Sequence, residues 1–105
     1  MRMFISEAEW EANQEGSFAS LNIVYNHKPA LMAALLEAQH GAEANVLSTV
    51  HVHLTKKHCF EVLTIKGTRA GIEKLANKIK GFSGIEYAHL FRFNLPSDEK
   101  FEHHH

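Results

Sequence analysis

Apolar and polar positions change period several times along this chain, and each change marks an element. Leu21-Asn22-Ile23-Val24-Tyr25 is rich in β-branched and aromatic residues and reads as a strand. Pro29 then opens a helix, because its fixed φ and missing N–H suit a first turn. Leu31, Leu35 and Ala38 form the helix stripe that should face a sheet, and the helix should run to His40 and stop at Gly41. Residues 45–54 and 58–66, rich in Val, Leu, Thr and Ile, read as two strands joined by the polar Thr55-Lys56-Lys57. Gly67-Thr68 supplies a turn and a cap. Ile72, Leu75, Ala76 and Ile79 then recur at helical spacing. Gly81 and Gly84 break that helix, Ile85 to Phe93 gives a last strand, and Pro96 ends the pattern.

The predicted order is βαββαβ, the split βαβ motif of ferredoxin-like α+β domains. It implies a four-stranded antiparallel sheet with both helices on one face and the other face bare. Residues 18–96 form this domain. Residues 1–17 read as an N-terminal tail or remnant linker, acidic through Glu7, Glu9, Glu11 and Glu15. Within it Ser6 to Gln14 could form a short helix, with Ser6 and Glu9 spaced as a capping box. Residues 97–105 are expected to be a disordered tail. Its final His103, His104 and His105 resemble the remnant of a purification tag and are set aside.

The central hairpin concentrates the candidate chemistry. With Thr55-Lys56-Lys57 as its loop, His53 faces Cys59 and His51 faces Glu61. Alternation then sets His51, His53, Cys59 and Glu61 on one face, while His58 falls away from them. Val50, Val52, Leu54, Phe60 and Val62 share the opposite face and are expected to pack under the helices. The polar cluster is therefore expected on the bare face, beside Leu47, Leu63 and Ile65. Opposed Cβ atoms stand roughly 4.5–5.5 Å apart, so two imidazoles and a thiol converge on the space of one ion. Sulfur with nitrogen donors selects Zn, Cu or Ni over Mg or Ca. An isolated H-x-H on a strand is common without a ligand, and a lone cysteine is often a small buried hydrophobe. The in-register cysteine raises the metal reading above both. A Cys–His nucleophile pair oriented by Glu61 lacks any oxyanion hole or nucleophile elbow in this sequence, so no enzyme is expected.

His40 is the remaining donor. It lies about 200° around the helix from Ala38, pointing away from its own core. Two readings stay open: an exposed residue favoured by the helix C-terminus, or a ligand delivered to a neighbouring subunit. Composition narrows the rest. A chain of 105 residues suits one domain. A net charge of −1, from 11 Lys+Arg and 12 Asp+Glu, argues against a free-standing nucleic-acid binder. There is no apolar run of membrane-spanning length. A single cysteine makes no internal disulfide and fits a reducing cytoplasm.

Y-N-H at 25–27, A-Q-H at 38–40, V-L-S-T-V-H-V-H at 46–53 and C-F-E at 59–61 resemble the nickel-responsive ribbon-helix-helix repressors (NikR). I-K-G at 65–67 and G-I-E-Y-A-H-L at 84–90 fit the same regulatory domain, so the resemblance covers roughly residues 19–92. It implies an ACT-like, metal-binding regulatory domain that assembles as a homotetramer, a dimer of dimers. It implies Ni(II), with Cu(II) or Zn(II) as substitutes, held in a square plane by His51, His53 and Cys59 of one chain and His40 of another. Glu61 would stand behind the ligands, and Tyr25 and His27 near them or at a weaker secondary site. Repressors of this family carry a DNA-reading ribbon-helix-helix of about fifty residues before the domain. Only some seventeen residues precede it here, and the segment is acidic. This chain alone is therefore expected not to bind an operator, whether it is a stand-alone protein or an excised piece. A second expectation is an ACT-type module that senses a small molecule at a subunit interface.

Overall fold

A computed structural model describes residues 17–94. Its elements are β1 (Ser17–Asn26), α1 (Pro29–His40), β2 (Asn45–His53), β3 (His58–Gly67), α2 (Arg69–Lys80) and β4 (Ile85–Asn94). All strand pairs are antiparallel, in the order β2-β3-β1-β4, which is the predicted α+β topology. The Ser6–Gln14 helix with its capping box, Pro96 and the three terminal histidines lie outside the described residues.

Local chemistry explains the boundaries. Pro29 stands at the start of α1, and the Gly41 N–H closes that helix on the Glu37 carbonyl at 3.1 Å. Thr68 caps α2, its Oγ1 accepting from the Gly71 N–H at 3.0 Å. Gly84, at φ +102°, turns the chain into β4. A Cβ there would meet Leu31 Cδ2 at 2.9 Å, so both backbone and space call for glycine.

The core lies between the two helices and one face of β1 and β3. Leu31, Leu35 and Ala38 of α1 and Ile72, Leu75, Ala76 and Ile79 of α2 are buried, the stripes read from the sequence. Beneath them lie Ala19, Leu21, Ile23 and Tyr25 of β1, paired with Ile65, Leu63, Glu61 and Cys59 of β3. The expected hairpin register holds: His53 faces Cys59 and His51 faces Glu61.

The expected face does not hold. Cys59 and Glu61 continue the row of Leu63 and Ile65, which are buried under the helices rather than bare. Val50, Val52 and Leu54 are exposed on the opposite, uncovered face, with Phe60 and Val62 half-buried beside them. The reason is that alternation decides which residues share a face, not which face receives the helices. The deciding signal lies in β1, where Ala19, Leu21, Ile23 and Tyr25 alternate with Ser20 and Asn22. Leu47 is exposed for a different reason. The β2–β3 register shifts between Val46 and Ser48, leaving Leu47 as the extra residue of a bulge.

Candidate metal centre

The site forms where the core face runs out. β2 is an edge strand, and its helix-side residues His51 and His53 are exposed although their partners Glu61 and Cys59 are buried. The result is a shelf beside the core, with soft and nitrogen donors along its wall.

Ligand-capable atoms of His51, His53 and Cys59 all lie within 4.8 Å of one another. Cys59 Sγ stands 3.8 Å from His53 Nδ1, and the two imidazole centroids are 5.1 Å apart. Two further rings border the group. Tyr25 lies 6.2 Å from the His51 ring, and His27, in the β1–α1 connection, lies 5.7 Å from the His53 ring. The His27 N–H is tied to the Lys57 carbonyl at 2.8 Å, which holds this connection against the hairpin loop.

Behind the shelf the polarity is buried and paired. The Tyr25 hydroxyl donates to Glu61 Oε1 at 2.7 Å, with Tyr25 fully and Glu61 almost fully excluded from solvent. Burial raises the Tyr25 phenol above its ordinary range, and the hydrogen bond to Glu61 raises it further, so it stays a donor. Burial also raises the Cys59 thiol, with the Glu61 charge adding to the effect. A cation placed among these donors reverses that balance, because its charge favours the thiolate and releases the proton.

The remaining predicted residues separate clearly. His58 faces the other side, where Nε2 lies 3.3 Å from Glu86 Oε1 and Nδ1 lies 3.1 Å from Thr55 Oγ1. It is no part of the cluster, as expected. His40 is exposed at the last residue of α1. The expectation that it and the cluster lie on opposite sides of the sheet is corrected, since both are on the helix side. They are at opposite ends of it. The cluster sits at the end where α1 begins, and α1 carries the chain away for 12 residues, about 18 Å. His40 cannot reach the cluster of its own chain. Sequence reasoning missed Leu36, one turn before His40, which is 56% exposed on the outer side of α1. Its place off the Leu31/Leu35/Ala38 stripe was the available signal.

Fold and site together define a ferredoxin-like domain with a sulfur–nitrogen cluster beside an edge strand. The ACT domain from a GTP pyrophosphokinase of Chlorobium tepidum has the same fold, with a TM-score of 0.63 at 15% identity over 70% of this chain and 96% of that one. The chain belongs to the family described as the NikR C terminal nickel binding domain, whose model matches residues 18–92. Relatives that carry the name nickel-responsive regulator include one from Pyrococcus horikoshii, 34% identical over 86% of this chain. Another, from Trichlorobacter lovleyi, is 36% identical over 87% of this chain. The match spans 66% of the length of each of these relatives.

Proposed function

We propose that this domain is a non-enzymatic nickel sensor in which His51, His53 and Cys59 bind one Ni(II) ion. The observation that carries the reading is the convergence of their donor atoms within 4.8 Å on an accessible shelf. Two imidazoles and one thiolate are donors that Ni(II), Cu(II) and Zn(II) accept, so Cu(II) and Zn(II) are the competing ions. Family membership and the relatives' names favour nickel among the three. The buried Tyr25–Glu61 pair stands behind the donors and keeps a negative charge near the ion without binding it. His27 lies beside His53 and could serve a weaker second ion.

His40 of a second copy completes the ligand set. One two-fold axis across the middle of α1 would set the His40 end of each copy against the cluster end of the other, so both sites form at once. Leu36, exposed one turn before His40, gives the same surface an apolar anchor. The domain's part is to couple metal to assembly. DNA, where it is involved, is read by a separate module. A cysteine that must be available as thiolate fits the reducing cytoplasm.

Titrating nickel into protein freed of its terminal histidines should give one ion per chain and a thiolate-to-nickel charge-transfer band, both lost in Cys59→Ala. Absence of stoichiometric Ni(II), Cu(II) or Zn(II) uptake by the unmutated protein overturns the reading. So does stabilisation by amino acids and not by metals, which would mark a small-molecule module. For the shared site, His40→Ala should change the spectrum of the bound ion. A fully metallated His40→Ala protein with the original spectrum removes the second copy from the site.

A further inference from the structure

A cavity of about 360 Å³ lies between α2 and the edge strand β4, at the sheet edge opposite the histidine-bearing β2. Small-molecule sites span roughly 300–1,000 Å³, so a compact ligand fits. Two periodicities build the space. Glu73, Ala76, Asn77 and Lys80 recur at i, i+3, i+4 and i+7 and form one stripe of α2. Ala88, Leu90 and Arg92 alternate along β4, paired with Ile23, Leu21 and Ala19 of the covered face. Ala76 and Ala88 give each wall only a methyl group, which leaves the gap between helix and strand open. Ala76 is buried, and Ala88 and Leu90 pack against the core, so the floor is apolar.

We infer that this cavity binds a short linear dicarboxylate, held by one cation at each end. The connection at 81–84 reverses the chain between α2 and β4, so Lys80, the last residue of α2, and Arg92, near the finish of β4, stand at opposite ends of the groove. Glu73 marks the Arg92 end, seven residues and about 10 Å along the helix from Lys80. Its carboxylate does not cancel the positive charge, because Arg69 holds it at 3.3 Å. With that pair neutral, the lining carries two positive charges, and the Asn77 amide lies between its ends. A carboxylate at each end of the ligand matches the two cations, while its methylenes rest on Ala76, Ala88 and Leu90. The Arg92 guanidinium takes one carboxylate through paired hydrogen bonds, and the Lys80 ammonium takes the other as a point charge. A free amino acid fits worse, since its ammonium would meet two cations and a carboxylate already engaged. The site lies within one copy and does not rest on the nickel reading.

The test is isothermal titration calorimetry of the full chain, freed of its terminal histidines and kept in excess chelator, with succinate and with adipate. One of the two should bind at one molecule per chain. Acetate, with a single carboxylate, should bind at least about tenfold more weakly, and neutral succinamide should give no heat of binding. Lys80→Gln should weaken dicarboxylate binding by about tenfold or more, and the exposure of Lys80 keeps the fold independent of this change. Ala88→Leu should abolish binding by filling the groove, and Lys80→Gln decides alone if that variant fails to fold by circular dichroism. Absence of saturable binding by both dicarboxylates overturns the inference. So does acetate binding as tightly, or a folded variant of either kind with unchanged affinity. Cys59→Ala should bind the dicarboxylate as the unmutated protein does, so failure of the nickel reading and failure of this one are told apart.

Discussion

The two faces of this sheet reverse the usual distribution of polarity. Under the helices, where burial is deepest, the row Ile65, Leu63, Glu61, Cys59 ends in an acid and a thiol. On the open side, Val50, Val52, Leu54, Tyr87 and Phe91 stand exposed. The covered face can afford polarity because it is paired: Glu61 is bonded to the Tyr25 hydroxyl at 2.7 Å, which offsets the penalty of burying a carboxylate. The open face leaves its apolar groups in contact with water in a single copy. Each face thus breaks the simple rule for a reason that lies outside a single strand's pattern.

The sharpest way to break that contrast is to truncate neighbours on one strand. Leu63→Ala, on the covered face, should destabilise the domain by about 2–5 kcal/mol, because it empties space between sheet and helices. Thr64→Ala, one residue on and on the open face, loses hydroxyl contacts with the Ser48 hydroxyl at 2.7 Å and the Ser48 carbonyl at 3.4 Å, and should change stability by about 1 kcal/mol or less. Equal losses in chemical denaturation would mean the faces have been assigned wrongly. A smaller effect is expected from Tyr25→Phe. It leaves Glu61 buried without its donor and should reduce the stability of the metal-free domain by about 1–3 kcal/mol. An unchanged unfolding midpoint would show that water replaces the phenol.

A last test, read in affinity rather than stability, addresses the polar end of the covered face. Because burial and Glu61 raise the Cys59 thiol, the metal-free domain holds that proton through neutral pH, below the ordinary thiol value of about 8.5. Metal binding needs the thiolate, so apparent nickel affinity should rise with pH, by up to about tenfold per pH step between roughly 6 and 8. The gain should cease above the raised thiol value, where no proton remains to be displaced. Proton release measured by calorimetry in buffers of different ionisation heat checks the sign. Affinity that falls as pH rises over this range would exclude Cys59 as a ligand.

Much of this was legible from the sequence. The strand and helix periods, Pro29, Gly41 and the Thr68 cap marked the elements, and a three-residue polar loop set the hairpin register that brings His53 to Cys59. The inward face was legible for β1 but not for the hairpin, where both candidate rows contain apolar residues. Leu63 and Ile65 could only be assigned once Tyr25 was seen to pair with Cys59 and Leu21 with Leu63.

Residue order by itself determined which side chains travel together, because alternation along a strand is a property of the backbone and survives any packing. It determined the cluster of two imidazoles, a thiol and an acid, and the helix stripes. Only the tertiary structure decided which way that cluster looks, how far His40 lies from it, and that Tyr25 closes on Glu61. Those outcomes depend on where two helices settle across four strands. That choice is made by the summed burial of the whole sheet, and no single hairpin contains it.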